Sequence, residues 1–288
     1  MAVTPDDIAA VIATEDDFGH EMRVGRVMRG HLGSQTSQGG TYVDSVSGKT
    51  RQFDFRWSYR SGHLGLKIAA ECKNVNPDSP VVISGRKRTV SEAFHDLVES
   101  RKGGHFRMNK KEIFLDVSAA RTVRRVTGND SIYFPEAFVG KSLLQLKKKD
   151  GKLSRTRDTE LYEKWSQALA SSVDLVDTAG RDAAASTDQH VFTFILPVVV
   201  LPDETLWKIE YDINGKITEG PEPATEIEFF VAHKASPPVE LGDSNIPYVF
   251  SHLHFVTLTA FGKFLLQILG NESTFPDQIL DVARAERL

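Results

Sequence analysis

The chain has 288 residues, 40% of them hydrophobic and 26% charged, with a net charge of −4; that is enough apolar material for one large domain or two modest ones. A single cysteine, Cys72, excludes an intrachain disulfide and any Cys/His zinc pattern. No apolar run reaches the ~18 residues of a membrane span, and the acidic N-terminus lacks the basic-then-apolar layout of a secretory signal, so a cytoplasmic protein with no membrane partner is expected. The charge is uneven. Residues 1–150 carry 24 Lys and Arg against 18 Asp and Glu, whereas residues 151–288 carry 11 against 21. Clustered cations attract a phosphate backbone, so the first half is suited to a polyanion partner; an unevenly charged solvated surface is the plain alternative.

In chain order, Thr14 followed by Glu15, Asp16 and Asp17 reads as an N-cap with acids in the first turn of a helix running to about His31. Gly33–Gly40 (GSQTSQGG) reads as a loop. Three strands are expected next, at Thr41–Val46, Arg51–Tyr59 and Leu64–Lys73, joined by short Gly-bearing turns into an antiparallel meander. The third is apolar on both faces near its middle, as a central strand is. Between Ser84 and Arg125 there are eleven Lys and Arg against five acids. That stretch begins with a short strand near Val81–Ser84 and a helix starting after Thr89 or Ser91 and ending before Gly103. Residues 111–126 fit a strand or a helix. Leu146–Asp158 reads as an exposed connector.

A helix then spans about Thr159–Asp177, with Leu161, Trp165, Leu169, Val173 and Val176 at helical spacing. Val191–Leu201 is almost wholly apolar and reads as a buried strand. Asn214-Gly215 between alternating residues signals a type I′ hairpin. A further strand at Thr225–Lys234, a strand and helix within Ser251–Leu269, and a surface helix in the tail complete the chain. Helices separated by a strand meander point to an α/β (α+β) fold with a mixed sheet.

Chemistry concentrates at the end of the third strand, where Glu71, Cys72 and Lys73 follow an apolar run. Alternation puts Glu71 and Lys73 on one face, Cα atoms ~7 Å apart, and Cys72 on the other. A turn centred near Gly62 and His63 folds the second strand back so that Asp54 pairs with about residue 71. Two neighbouring carboxylates repel, and a divalent cation resolves the conflict. Mg²⁺ would take Asp54, Glu71 and the backbone carbonyl of Cys72, with Lys73 beside it to orient a water and neutralise a phosphate. Glu71–Lys73 as an edge salt bridge and Asp54 as a polar-out residue are the plain alternatives.

This arrangement, Asp54, a hairpin, then Glu71-Cys72-Lys73, resembles the PD-(D/E)XK superfamily of restriction-endonuclease-like nucleases. The resemblance implies a core of α-β-β-β-α-β order with a mixed four-stranded sheet, Mg²⁺ or Mn²⁺ dependence and nucleic-acid cleavage, most simply of double-stranded DNA. It also implies a helix glutamate reaching the metal; Glu21 is the choice, with Asp17 one turn earlier. Phe53 stands where the motif has proline. On this reading the chain is one domain, with a core at about 14–75 and 159–201, a basic insert at 76–158 and a C-terminal extension at 202–288. A second placement of the later core helix is Ser91–Arg101. A homodimer would supply two sites for the two strands, and restriction or phage defence is where such enzymes are common.

Arg86, Lys87, Arg88, Arg121, Arg124 and Arg125 are candidate phosphate contacts. Trp57 and Tyr59 read chiefly as packed aromatics, with base stacking as the alternative. Cys72 reads as a core residue rather than a nucleophile. His252 and His254 alternate on one strand, but no third metal ligand is evident in the sequence. Gly140-Lys141-Ser142 lacks the preceding glycine of a P-loop.

Overall fold

The computed structural model describes residues 3–270 apart from 16, 32, 102–104, 109–110, 115–119, 157–158, 185–189 and 236–246. Helices α1 (Pro5–Glu15) and α2 (Phe18–Arg29) open the chain. Strands β1 (Ser34–Gln38), β2 (Thr41–Val43), β3 (Thr50–Gln52), β4 (Phe55–Ser61) and β5 (Leu64–Cys72) follow. The middle of the chain adds β6 (Val81–Lys87), β7 (Phe94–Arg101), β8 (His105–Met108), β9 (Lys111–Phe114), β10 (Ala120–Thr127), β11 (Phe138–Lys149) and β12 (Lys152–Arg155). Then come α3 (Thr159–Ala184), β13 (His190–Leu201), β14 (Leu206–Tyr211), β15 (Ile217–Pro223), β16 (Glu226–Lys234), β17 (Val249–Thr257) and α4 (Leu258–Gly270). Among the described residues, no helix is long and apolar enough to cross a membrane.

The protein is mixed α/β. One large mixed sheet runs in the order β1-β4-β5-β13-β17-β16-β11-β6-β14-β15, with β7, β10 and β12 attached to it. At the end that carries the motif, β4 is antiparallel to both β1 and β5, while β13 lies parallel to β5. The chain therefore runs α2-β1-β4-β5, then α3-β13, with the four strands adjacent in the order β1-β4-β5-β13.

The sequence explains why β13 is central. It is apolar on both faces, as a strand covered on both sides by helices must be, and every residue from Val191 to Leu201 is buried. Its far edge is shared: β7 pairs with His190–Phe194 and β17 with Val198–Leu201. Pro197 sits in the gap between these two ladders, where a residue without an N–H is tolerated.

Alternation sorts the core into two layers. Leu66, Ile68, Ala70 and Cys72 of β5 pack with Val24 and Met28 of α2 and Phe261 and Phe264 of α4. Ala69 faces the other way, onto Leu169, Val173 and Val176 of α3. Helix α2 is held close to the sheet by the Trp57 indole N–H, which donates to Met28 O at 3.2 Å, and by His20 Nε2 against Val200 O at 3.0 Å. Gly25 permits this approach: a Cβ there would lie 2.9 Å from the buried Phe55 ring. Gly25→Val is expected to lower stability by about 2 kcal/mol, as an overpacked core does; urea unfolding measures it.

Several local expectations are corrected. Gly33–Gly40 contains a strand, β1, not only a loop. Its polar residues sit on an edge, exposed or half-buried, and so leave no hydrophobic period to read. Thr41–Val46 and the start of Arg51–Tyr59 form a separate small hairpin, β2 with β3, and the backbone breaks at Phe53-Asp54 before β4 begins. The expected helix from Thr14 to His31 is the shorter α2, with Asp17 at its cap position, whereas Thr14 lies near the end of α1, a helix the sequence reading does not anticipate.

The expected helix over Ser91–Arg101 is largely strand β7, because pairing with both β10 and β13 outweighs local preference. The supposed connector after Leu146 is the β11–β12 hairpin. The hairpin at Asn214-Gly215 is present, but only Gly215 has positive φ, so its turn is not type I′. Asp212 instead organises the loop by accepting from the Asn214 and Lys216 N–H groups. The tail expected to be a surface helix lies outside the described residues.

Candidate functional site

Register decides whether the motif residues meet. Phe55 pairs with Ala70, so the next position along puts Asp54 opposite Glu71. The Cys72 N–H donates to Asp54 Oδ2 at 2.8 Å, which fixes the carboxylate at the end of β5. Glu71, on the α3 face of β5, is fully buried, and neither of its carboxylate oxygens has a hydrogen-bond partner. Burial, then the neighbouring Asp54 charge, pushes the Glu71 carboxyl well above the usual carboxylate range.

The cation beside these carboxylates is Lys164 of α3, which sequence reasoning missed. Its Nζ donates to Asp54 Oδ2 at 2.6 Å and lies 3.7 Å from Glu71 Oε2. Burial works against the charged ammonium, but Asp54, Glu71 and Asp17 together outweigh it and raise the lysine's pKa. A sequence signal existed. Lys164 falls between Leu161 and Ala168, both buried, at the edge of the apolar stripe of α3. A lysine beside such a stripe is placed to reach inward.

Lys73 takes other partners. Its Nζ is 2.9 Å from Glu160 Oε2 and 3.4 Å from Asp17 Oδ2. Burial opposes its charge, and the Glu160 and Asp17 contacts raise its pKa nonetheless. Of the two acids weighed on the first helix, Asp17 contacts the motif directly: it also accepts from the Asn74 N–H at 2.6 Å. Glu21 is half-buried near Cys72, where its charge helps raise the thiol pKa after burial and Asp54 have done so. Cys72 itself is buried in the core, consistent with packing rather than reactivity.

The candidate phosphate contacts separate. Arg88 is buried and cannot reach a nucleic acid: its guanidinium is bonded to Glu228, to Phe134 O at 2.8 Å and to His252 Nε2 at 3.2 Å. Arg86 pairs with Glu92 at 2.8 Å, and Lys87 is exposed. Arg125 binds Asp96 through two bonds of 2.7 and 2.8 Å and lies over the Phe94 ring; Arg124 is 3.3 Å from Glu99. Both remain about half exposed, at 41% and 50%. Arg121 lies in β10 opposite Ser100. Trp57 is core, stacked on Tyr59.

A second polar group lies on the opposite face of the sheet. Pairing of β16 with β17 sets Glu228 against His254, and Glu226 shares the face of Glu228. One ligand atom from each of Glu226, Glu228 and His254 lies within 4.8 Å of the others, a group able to hold a metal ion. These carboxylates are the missing partners of His254. They were invisible in the sequence because β16 and β17 are brought together only by the sheet.

No family model matches this chain, and neither does any curated protein or solved structure.

Proposed function

We propose that the protein is a metal-dependent nuclease hydrolysing phosphodiester bonds, built on a restriction-endonuclease-like core. The observation that carries this is the Asp54–Glu71 pair: two carboxylates converging at the end of β5, one fully buried with both oxygens lacking a hydrogen bond. The succession α2-β1-β4-β5-α3-β13, with β2–β3 and β6–β12 interposed, supports it, since it can be read as the α-β-β-β-α-β order implied by the resemblance.

The donor set suits a hard dication. Asp54 and Glu71 would hold Mg²⁺ or Mn²⁺. The Cys72 carbonyl would join them, because a strand residue directs its C=O to the same edge as its N–H, here the Asp54 side. When bound, the metal would polarise a phosphate and lower the pKa of a water. Lys164 would yield its place between the carboxylates and remain as a second cation. Lys73, at the rim between Asp17 and Glu160, would position the water or a phosphate oxygen. Arg86, Lys87, Arg124 and Arg125 are the proposed backbone contacts, with double-stranded DNA as substrate and a homodimer as the cutting form. Restriction or phage defence is the setting this reading suggests.

The Lys164–Asp54 contact also favours a second reading, a nuclease-like fold that grips nucleic acid without cutting, its carboxylates neutralised by a lysine instead of a metal. Supercoiled plasmid incubated with wild type and Lys73→Ala in Mg²⁺ or Mn²⁺ separates the two. Nuclease action predicts EDTA-sensitive nicking that falls at least 100-fold in the variant. Plasmid retardation with no cutting in either metal supports the binding module instead.

A further inference from the structure

The face of the sheet opposite Asp54 and Glu71 holds His254 in an unusual state. The ring is fully buried. Its Nε2 is 2.8 Å from the Tyr133 hydroxyl. Its Nδ1 is buried with no hydrogen-bond partner and stands 3.5 Å from Glu226 Oε1. Tyr133 is itself buried and stacked on the His252 ring, so the hydroxyl that orients His254 cannot swing away. An imidazole held through one nitrogen, with the other lacking a hydrogen bond and set beside the Glu226 carboxylate, is how a metal-binding histidine is usually prepared.

The carboxylates fit the same purpose. Glu226 and Glu228 are neighbours on one face of β16 and their charges repel. Arg88 binds Glu228, while Glu226 faces the His254 ring. Their side chains are 32% and 24% exposed, while His254 is 1% exposed. The group is thus closed behind the histidine and open at the carboxylate rim.

We propose that Glu226, Glu228 and His254 form a site for a first-row divalent cation, Zn²⁺ or Mn²⁺, separate from the Asp54–Glu71 pair. A nitrogen ligand with two carboxylates suits these ions better than Mg²⁺ or Ca²⁺, which prefer oxygen alone. Three protein ligands leave a coordination position for water or a small anion at the exposed rim. The ion would also join β16 to β17 by offsetting the paired carboxylates.

Untagged, EDTA-stripped protein titrated with Zn²⁺ against a chromophoric chelator tests this, together with anomalous scattering at the zinc edge from Zn²⁺-soaked crystals. An anomalous peak among the three side chains is expected, with one equivalent of Zn²⁺ bound there besides any held by the Asp54–Glu71 pair. Glu71→Gln should leave this binding unchanged, which separates it from the other carboxylate pair. His254→Gln should abolish the binding, Glu226→Gln should weaken it at least 10-fold, and Tyr133→Phe should weaken it about 10-fold by releasing the ring. Because Glu226 is partly exposed, its variant tests the site even where the buried substitutions disturb folding. Zinc affinity unaffected by Glu226→Gln, or no peak at these residues, would mean that Arg88 and Tyr133 simply complete a buried polar network, and the proposal fails.

Discussion

Replacing Lys164 by methionine is expected to destabilise the metal-free protein by about 3 kcal/mol, the usual cost of removing one partner from a buried ion pair. Methionine keeps the length and apolar stem of the lysine, so packing of α3 on the sheet changes little. What remains is Asp54 and Glu71 together with no cation between them. The cost is pH-dependent. The Glu71 carboxyl is already held above its unfolded pKa by burial and the Asp54 charge, and losing the Lys164 cation raises it further, so the folded state binds more protons than the unfolded state. Stability therefore falls as pH rises above the unfolded glutamate value near 4–5, and the loss shrinks in acid where Glu71 is protonated in both states. Mn²⁺ should recover much of the loss at pH 7 to 8, because an ion bound only by the folded state stabilises by mass action. Denaturant titrations of both proteins at pH 5 and pH 8, with and without Mn²⁺, give the comparison. Equal stability of wild type and variant at pH 8 without metal would show that the lysine is not what neutralises this pair.

That lysine also marks the limit of what the sequence made legible. The Asp54–Glu71 pairing was readable because a hairpin fixes register locally: the turn at Gly62 and His63 sets which residues of β4 and β5 face one another, and alternation does the rest. The placement of α3 and β13 was readable for a similar reason, since each carries a long, unambiguous apolar pattern. What local pattern cannot supply is the identity of partners far apart in the chain. Lys164 is separated from Asp54 by 110 residues and reaches it only because α3 lies across β5. Glu226 and Glu228 meet His254 through a strand pair whose connection includes residues outside those described. Arg88 looked like a surface cation from its neighbours Arg86 and Lys87, yet it is buried because Glu228, His252 and Phe134 O complete its bonding. The strands β1, β7 and β12 were missed for a related reason. Their place is set by pairing with other strands, and their own residues carry little hydrophobic periodicity.

The largest effect on function is expected at Glu71, and it comes with a gain in stability. Glu71→Gln keeps the shape of the side chain and removes the charge, so the proposed metal loses an anionic ligand and plasmid cleavage should fall by about 10³-fold or more, on the order of 4 kcal/mol in the barrier. The same change relieves the folded protein. The wild-type carboxyl is held well above its ordinary pKa by burial and by Asp54, so between the unfolded value near 4.5 and the raised folded value the native state binds more protons. Wild-type stability is thus lost as pH climbs through that window, and at pH 8 keeping this carboxyl buried, by binding a proton or by carrying a charge, is a cost that a neutral amide avoids. The variant is expected to be more stable than wild type by about 1–3 kcal/mol at pH 8, with the difference shrinking toward pH 4. Calorimetric melting across pH, paired with cleavage assays, reads both effects on one protein. A residue whose removal stabilises the fold while abolishing metal-dependent cutting is retained for chemistry. If Glu71→Gln instead destabilises the protein at pH 8 and leaves cleavage intact, the carboxylate is a structural partner of Lys164 and the active centre lies elsewhere.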